Sequence, residues 1–476
     1  MESDAIRLKS ARGRGVLLAT ILGSGVAFVD TTVVNVALAQ LGRSLGASFS
    51  ELQWTVDAYL LSVSALLLIG GTLADRYGRR RIFLLGLTWF GAASALCALA
   101  PSIHVLVAAR AVQGVGAAML MPGSLAILRS TFTENEQPAA FGAWAGLSGV
   151  STAIGPPLGG WLVVAISWRA IFLINLPLAA LAIWATRRCV PETRLPAPPA
   201  LDLWGSLLAL AGLGGITWGL IDLPHPTALL ALAIGALGLG AFLVREAHCP
   251  HAMLPLGIFR SRQFTGANLT TLMMYFALGG TTFLFVLFLQ RVLGYSALAA
   301  GLALTPLTLL LLALSPPMGR LSAQLGFRLP MTVGPLVAGG GLLLLSRIGP
   351  GTSYLGALPG IVVLGIGLGI TVAPLTSAAL TGADQQYAGV AAAVNNTVAR
   401  TAGLLAVALL PLLGHRGGST SLAQAFLVGM RVSALLCALG ALAAFLTQRP
   451  SARARAGKAR AARRPPAREQ PQEARP

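Results

Sequence analysis

Charged side chains are scarce in this chain, with 15 Asp and Glu in 476 residues, so those that interrupt apolar runs are the first candidates for chemistry. Asp30 leads them. It stands roughly 22 Å along an apolar run that starts at residue 15, at about 1.5 Å per helical residue. A carboxylate at that depth costs several kcal/mol unless it faces a cavity, is protonated, or is paired. It is either a structural charge with a local partner or a group that exchanges a proton or a cationic substrate, and the second reading is favoured. Arg110 enters another apolar run a short way from its outer end, in the same outer half as Asp30. Gln113 follows it by three residues, on roughly the same helix face. An Asp30–Arg110 pair would let a proton or a substrate cation compete with the guanidinium for the carboxylate. Asp57 lies near the outer end of its run, close enough to snorkel to water. Coupling and a plain structural role weigh equally there.

In the second half of the chain, Asn395, Asn396 and Arg400 make one late run unusually polar, and Asn396 and Arg400 share a face at i,i+4. They either line a cavity or lock helices by hydrogen bonds, with lining slightly favoured; Asn35, five residues after Asp30, joins them as a candidate lining residue. Gly155-Pro156-Pro157-Leu158-Gly159-Gly160 forms a different kind of cluster. Proline removes a backbone donor and glycine removes the side chain, so this helix should bend and approach a neighbour closely. No acidic residue interrupts the apolar runs of the second half, because Asp384 falls between runs. A dication would want two carboxylates, so monovalent or neutral substrates are expected.

The elements that must position these residues are membrane spans. The chain is 55% hydrophobic and 10% charged, where a soluble domain carries about 25% charged residues. Gly, Pro and charge punctuation divides it into fourteen apolar runs, from 15–38, 53–74, 82–100 and 105–128 through to 389–413 and 427–447. Each is about long enough to cross a ~30 Å hydrocarbon core. The net charge of +19 might suggest nucleic acid, but the basic residues lie between apolar runs and in the tail, which marks topology. Fourteen spans put 26 Lys and Arg on one side and 5 on the other, so both termini are expected in the cytoplasm. Arg7, Lys9, Arg12 and Arg14 before the first run resemble a signal peptide, but Asp30 and Asn35 interrupt that run and it is long enough to span. The basic tail, 448–476, cannot bury a core and is expected to contact anionic lipid.

Other classes fall away. No G-x-x-x-x-G-K-[ST] occurs, so an ion gradient rather than a nucleotide must supply the energy. The four cysteines are scattered, and His248-Cys249-Pro250-His251 lacks a second ligand cluster; neither a disulfide framework nor a metal is expected, and no cofactor. No catalytic constellation or sizeable soluble domain suggests an enzyme.

One hinge organises the whole. Gly71-Thr72-Leu73-Ala74-Asp75-Arg76-Tyr77-Gly78-Arg79-Arg80-Arg81 separates the second and third runs, and Gly319 to Arg328 repeats it in degraded form after the tenth, with Ala323 where Asp75 stands. The repeat predicts an all-α polytopic membrane protein with two six-helix halves, 15–190 and 263–447, joined by 191–262 with two inserted helices, and with a basic cytoplasmic segment at 1–14. Two such halves place the substrate site near the midplane between them, and their rocking gives alternating access.

The hinge pattern resembles the signature loop of the major facilitator superfamily. Asp30-Thr31-Thr32-Val33-Val34-Asn35-Val36-Ala37-Leu38 and Arg110-Ala111-Val112-Gln113-Gly114-Val115-Gly116 resemble the first-helix and fourth-helix motifs of its fourteen-span drug:proton antiporters. The Gly155–Gly160 cluster resembles the antiporter motif of the fifth helix. Ala39 stands where proline is common and Ser151 where glycine is usual, small changes that bear on packing. The resemblance implies proton coupling at Asp30 and Arg110, leak limitation at Pro156 and its glycines, and a conformational lock at Gly71, Asp75, Arg76, Gly78, Arg79 and Arg80. Asp75 is expected against the N-terminal end of the thirteenth span, whose helix dipole is positive there. The expected protein is a monomeric exporter in a bacterial inner membrane, with protons and an amphipathic small molecule as its partners. A nutrient importer or uniporter competes, and a receptor on the same scaffold is a distant third.

Overall fold

The structure is a computed structural model that describes residues 6–196, 200–249, 252–384, 387–416 and 419–448. Fourteen of its helices are long and apolar enough to cross a membrane. They are α1 (Ala11–Leu45), α2 (Phe49–Tyr77), α3 (Arg79–Leu99), α4 (Ile103–Thr131), α5 (Gln137–Ala165), α6 (Ala170–Cys189) and α7 (Leu203–Asp222). The others are α8 (Pro226–His248), α9 (Arg262–Arg291), α10 (Ala297–Leu325), α11 (Arg328–Leu345), α12 (Tyr354–Thr381), α13 (Gly389–Gly414) and α14 (Leu422–Thr447). Among the described residues, the only strands are two of two residues each, His415–Arg416 and Ser419–Thr420. The basic tail from residue 449, and Pro250 and His251 of the candidate metal cluster, lie outside the described residues.

Local chemistry sets the helix ends further out than hydropathy alone suggests. The helix α1 starts at Ala11 because the Ser10 hydroxyl accepts the Gly13 N–H, and it stops at Gly46, whose φ of 63° is left-handed. The helix α2 starts at Phe49 with a capping box between Ser48 and Glu51. Both α6 and α10 are broken near their starts, at Ile174 and Leu304. Pro177 and Pro306 follow those breaks, and a proline ring cannot sit against the carbonyl four residues earlier.

Helices α1 to α6 pack on one another, as do α9 to α14, and the inserted pair α7 and α8 forms a tight hairpin lying against α2 and α13. In that hairpin Gly215 meets Gly235 so closely that a Cβ on either would overlap the other's backbone. This is the close approach that small residues allow between helices in lipid. Large apolar side chains such as Trp204, Leu237 and Leu355 stay exposed, as a lipid-facing surface requires.

The two groups of six are joined at the end opposite the termini. Gln53 of α2 donates to the Val407 carbonyl of α13 at 2.7 Å, and Gln290 of α9 donates to Val36 of α1 at 2.9 Å. Phe49 and Phe283 meet edge to face at 6.0 Å. Gly160 of α5 lies so near α10 that a Cβ there would come within 2.6 Å of the Ala297 carbonyl oxygen. The far end is therefore closed by backbone-level contacts.

Candidate functional site

Asp30 is completely buried, and side chains from two helices besides its own bond to it. Its Oδ2 takes Arg110 of α4 at 2.5 Å. Its Oδ1 accepts from Gln113 of α4 at 2.9 Å and from Asn175 of α6 at 2.8 Å. The Ser94 hydroxyl of α3 accepts from both amides, at 2.8 Å from Gln113 and 3.3 Å from Asn175. Arg110 is 1% exposed and is held on its other sides too. Its Nε donates to the Thr55 carbonyl at 3.1 Å, another N–H reaches Gln113 Oε1 at 2.6 Å, and its Cζ lies 4.3 Å from the centre of the Tyr59 ring. A buried charge pair survives in a low-dielectric interior only when its remaining donors and lone pairs are satisfied in this way.

Asn175 and Ser94 are members of this network that sequence reasoning missed. A signal existed for Asn175, a polar residue two positions before Pro177 in an otherwise apolar run. The break at Ile174 sets Asn175 at the start of the second segment of α6, where its side chain reaches across to Asp30. Ser94 gives no such signal, because serine in a membrane helix commonly bonds its own backbone, as this one also does to Phe90.

Asp57 differs from expectation. It does not reach water: it is 0% exposed, and neither carboxylate oxygen has a hydrogen-bond partner among the described residues. The inserted helix α7 is part of the reason. Trp54 and Leu61, about one turn to either side of Asp57, pack against Trp218 and beside Gly214 of α7. Gln53, a turn earlier, is bonded to α13. Asp57 thus occupies a seam between α7 and α13 rather than a wet helix end.

The late polar cluster divides in two. Asn395 locks helices rather than lining a cavity: it is buried, and its amide donates to Asn268 at 3.2 Å and Thr271 at 2.8 Å, both on α9. Asn396 donates to the carbonyl of Ala392 on its own helix. Arg400 faces the other half, with a guanidinium N–H directed at Met121 Sδ, 3.4 Å away, and Cζ 5.5 Å from the Phe28 ring centre. Asn35 is half-buried; its amide bonds the Thr31 carbonyl and its Oδ1 has no partner among the described residues.

In the hinge, the Asp75 carboxylate is bonded to Arg79 through two N–H groups, at 3.0 and 2.8 Å. The segment after α6 straps it down. Leu195 N–H donates to the Asp75 carbonyl, Arg79 N–H to the Thr193 carbonyl, and the Glu192 carboxylate accepts both the Arg80 and Arg81 N–H groups at the start of α3. Gly78 has φ 109°, and a Cβ there would also strike Glu192. Gly71 sits beside Pro122 of α4, and Arg76 lies over its neighbour Tyr77. In this structure the partner of the Asp75 carboxylate is therefore Arg79, in place of the start of α13.

The Gly-Pro cluster holds two interfaces at once. Gly155 and Gly159 face α1, where a Cβ on Gly159 would lie 2.9 Å from the Val33 Cα. Gly160 and the Pro156 carbonyl face α10, with Pro157 beside the same contact. Gly159→Leu should destabilise the fold by about 1–3 kcal/mol through overpacking, read as a lower thermal midpoint in detergent. An unchanged midpoint would show that α1 and α5 can separate freely.

Two further findings bear on this geometry. The sequence matches a family model, the Major Facilitator Superfamily, over residues 20–407. The chain belongs to the major facilitator superfamily. Among its relatives, the methylenomycin A resistance protein of Bacillus subtilis (strain 168) is 35% identical over 418 residues, covering 85% of this chain and 88% of the relative. The multidrug resistance protein Stp of Mycobacterium tuberculosis (strain CDC 1551 / Oshkosh) is 35% identical and covers 79% of this chain and 71% of its own. The puromycin resistance protein pur8 of Streptomyces alboniger is 36% identical, covering 86% of this chain and 83% of the relative. The solved structure of a bacterial homolog of the human lysosomal transporter Spinster, inward-facing and unoccupied, shares the fold with a TM-score of 0.65 at 18% identity, over 92% of this chain and 97% of that one. This superfamily member is thus a multi-pass membrane transporter with fourteen apolar helices.

Proposed function

We propose that this transporter exports amphipathic, drug-like small molecules from the cell and is driven by inward proton flow. The observation that carries the reading is the sealed Asp30–Arg110 pair, a carboxylate whose charge is met by one guanidinium and two amides inside the membrane. The three relatives named above, each a resistance protein, favour export of antibiotics or other toxic compounds. With the termini cytoplasmic, as the distribution of basic residues favours, the contacts at the far end are those an inward-facing arrangement requires.

The proposed cycle follows from the charges. In the inward-facing state Asp30 is ionised and substrate enters between the halves from the cytoplasm or inner leaflet. After the halves rock, a proton from outside reaches Asp30 and cancels the charge that holds Arg110. The network loosens, substrate leaves, and the protonated protein returns and releases the proton inside. Broad affinity comes from apolar burial with few directed contacts.

Reconstitution in proteoliposomes tests this. An imposed pH gradient should drive lipophilic dyes and antibiotics against the direction of proton flow. Flux in the same direction as the protons would make the importer the better reading. The hinge carries a separate prediction: Asp75→Asn, which weakens the bond to Arg79, should reduce transport without removing substrate binding. Normal transport by that variant would discard the proposed lock.

A further inference from the structure

Arg400 is a cation inside the bundle whose counter-charge is missing. It is half-buried on α13 and faces the N-terminal half, with contacts to Met121 on α4 and Phe28 on α1. Among the described residues it joins no salt bridge; the two other arginines drawn into side-chain pairs in the transporter halves, Arg79 and Arg110, each have an aspartate. A thioether and aromatic rings satisfy the apolar stem and the faces of a guanidinium, but its N–H fork is built for paired oxygen acceptors. An ionisable group within the membrane and without its opposite charge marks a functional site by default.

We propose that Arg400 receives the anionic or strongly accepting group of the substrate, so that the exported compounds include amphipathic monoanions such as aromatic carboxylates. This rests on the exporter reading and narrows its substrate class. Phe28 and Met121 supply the apolar walls, one from each of two helices of the opposite half. The bound oxygens complete the guanidinium's donor set. Because α13 and α1/α4 belong to different halves, such a ligand bridges them across the path of alternating access.

The test is equilibrium binding of 2-naphthoate and of its methyl ester to the purified full chain in detergent. The two probes share a ring system and differ in charge. The wild type should prefer the carboxylate by about tenfold or more, the effect of one charge-assisted hydrogen bond. Arg400→Gln should level the two probes by weakening naphthoate alone. Arg400→Lys keeps the charge and tolerates the same burial, and it should retain a reduced preference because lysine lacks the fork. Equal affinities in the wild type, no binding of either probe, or a preference that survives Arg400→Gln would overturn the proposal. Gradient-driven flux of a panel of lipophilic dyes and of 2-naphthoate itself by the same preparations judges the exporter reading separately. Flux without a carboxylate preference removes only the anion site, and a preference without flux removes only the exporter.

Discussion

Asp30→Asn should reduce pH-gradient-driven flux by more than about tenfold, equivalent to at least ~1.4 kcal/mol, while the protein still binds substrate. Asparagine keeps the shape of the carboxyl group and one acceptor for Arg110, but it cannot carry a proton. It imitates the protonated state that the proposed cycle must visit, so the fold should tolerate it. The measurement is dye flux in proteoliposomes under an imposed pH gradient, wild type beside the variant. Flux that persists would keep the exporter and move the coupling group, with Asp57 the next buried carboxylate to examine.

The second large effect is on stability. Arg110→Ala leaves the Asp30 carboxylate at 0% exposure with only the two amides of Gln113 and Asn175. It also strips the Thr55 carbonyl and the Tyr59 ring of a partner. Breaking one side of a buried pair typically costs about 3–5 kcal/mol, because the other charge remains uncompensated. Thermal unfolding in detergent should show this as a large drop in midpoint. Adding Asp30→Asn to Arg110→Ala should recover part of the loss, since a neutral residue needs no counter-charge. Purely additive losses in the double variant would mean that the two side chains stabilise the fold independently.

The part of the site that was legible in the sequence depends on local rules. Asp30 and Arg110 stand out because a charge in an apolar run is costly, and Gln113 follows from helical periodicity. Their contact could be anticipated because both lie in the outer halves of their spans. Asn175 could not, since it reaches Asp30 across 145 residues of sequence and depends on a break in α6. The expectation for Asp57 failed for a related reason. Distance from the helix end favours water, but α7, an inserted helix far along the chain, packs over the neighbouring turns. Asn395 and Arg400 look alike in sequence as polar residues of one helix, yet one bonds α9 in its own half and the other faces α1 and α4.

The sequence by itself determined the membrane class, the fourteen spans, the two-half plan, and the residues too costly to bury without purpose. These follow from hydropathy, charge placement and the repeated hinge, all of which act along the chain over one or two helical lengths. Tertiary structure alone decided which polar groups meet: the amides and hydroxyl around Asp30, the strap from Glu192 to Leu195 over the hinge, the dry seam at Asp57 and the unpaired fork of Arg400. In a bilayer a helix can turn any face to lipid at little apolar cost, so hydropathy leaves its rotation open. The rotation is fixed by close packing at glycines and by the need of each buried donor and acceptor for a partner on another helix.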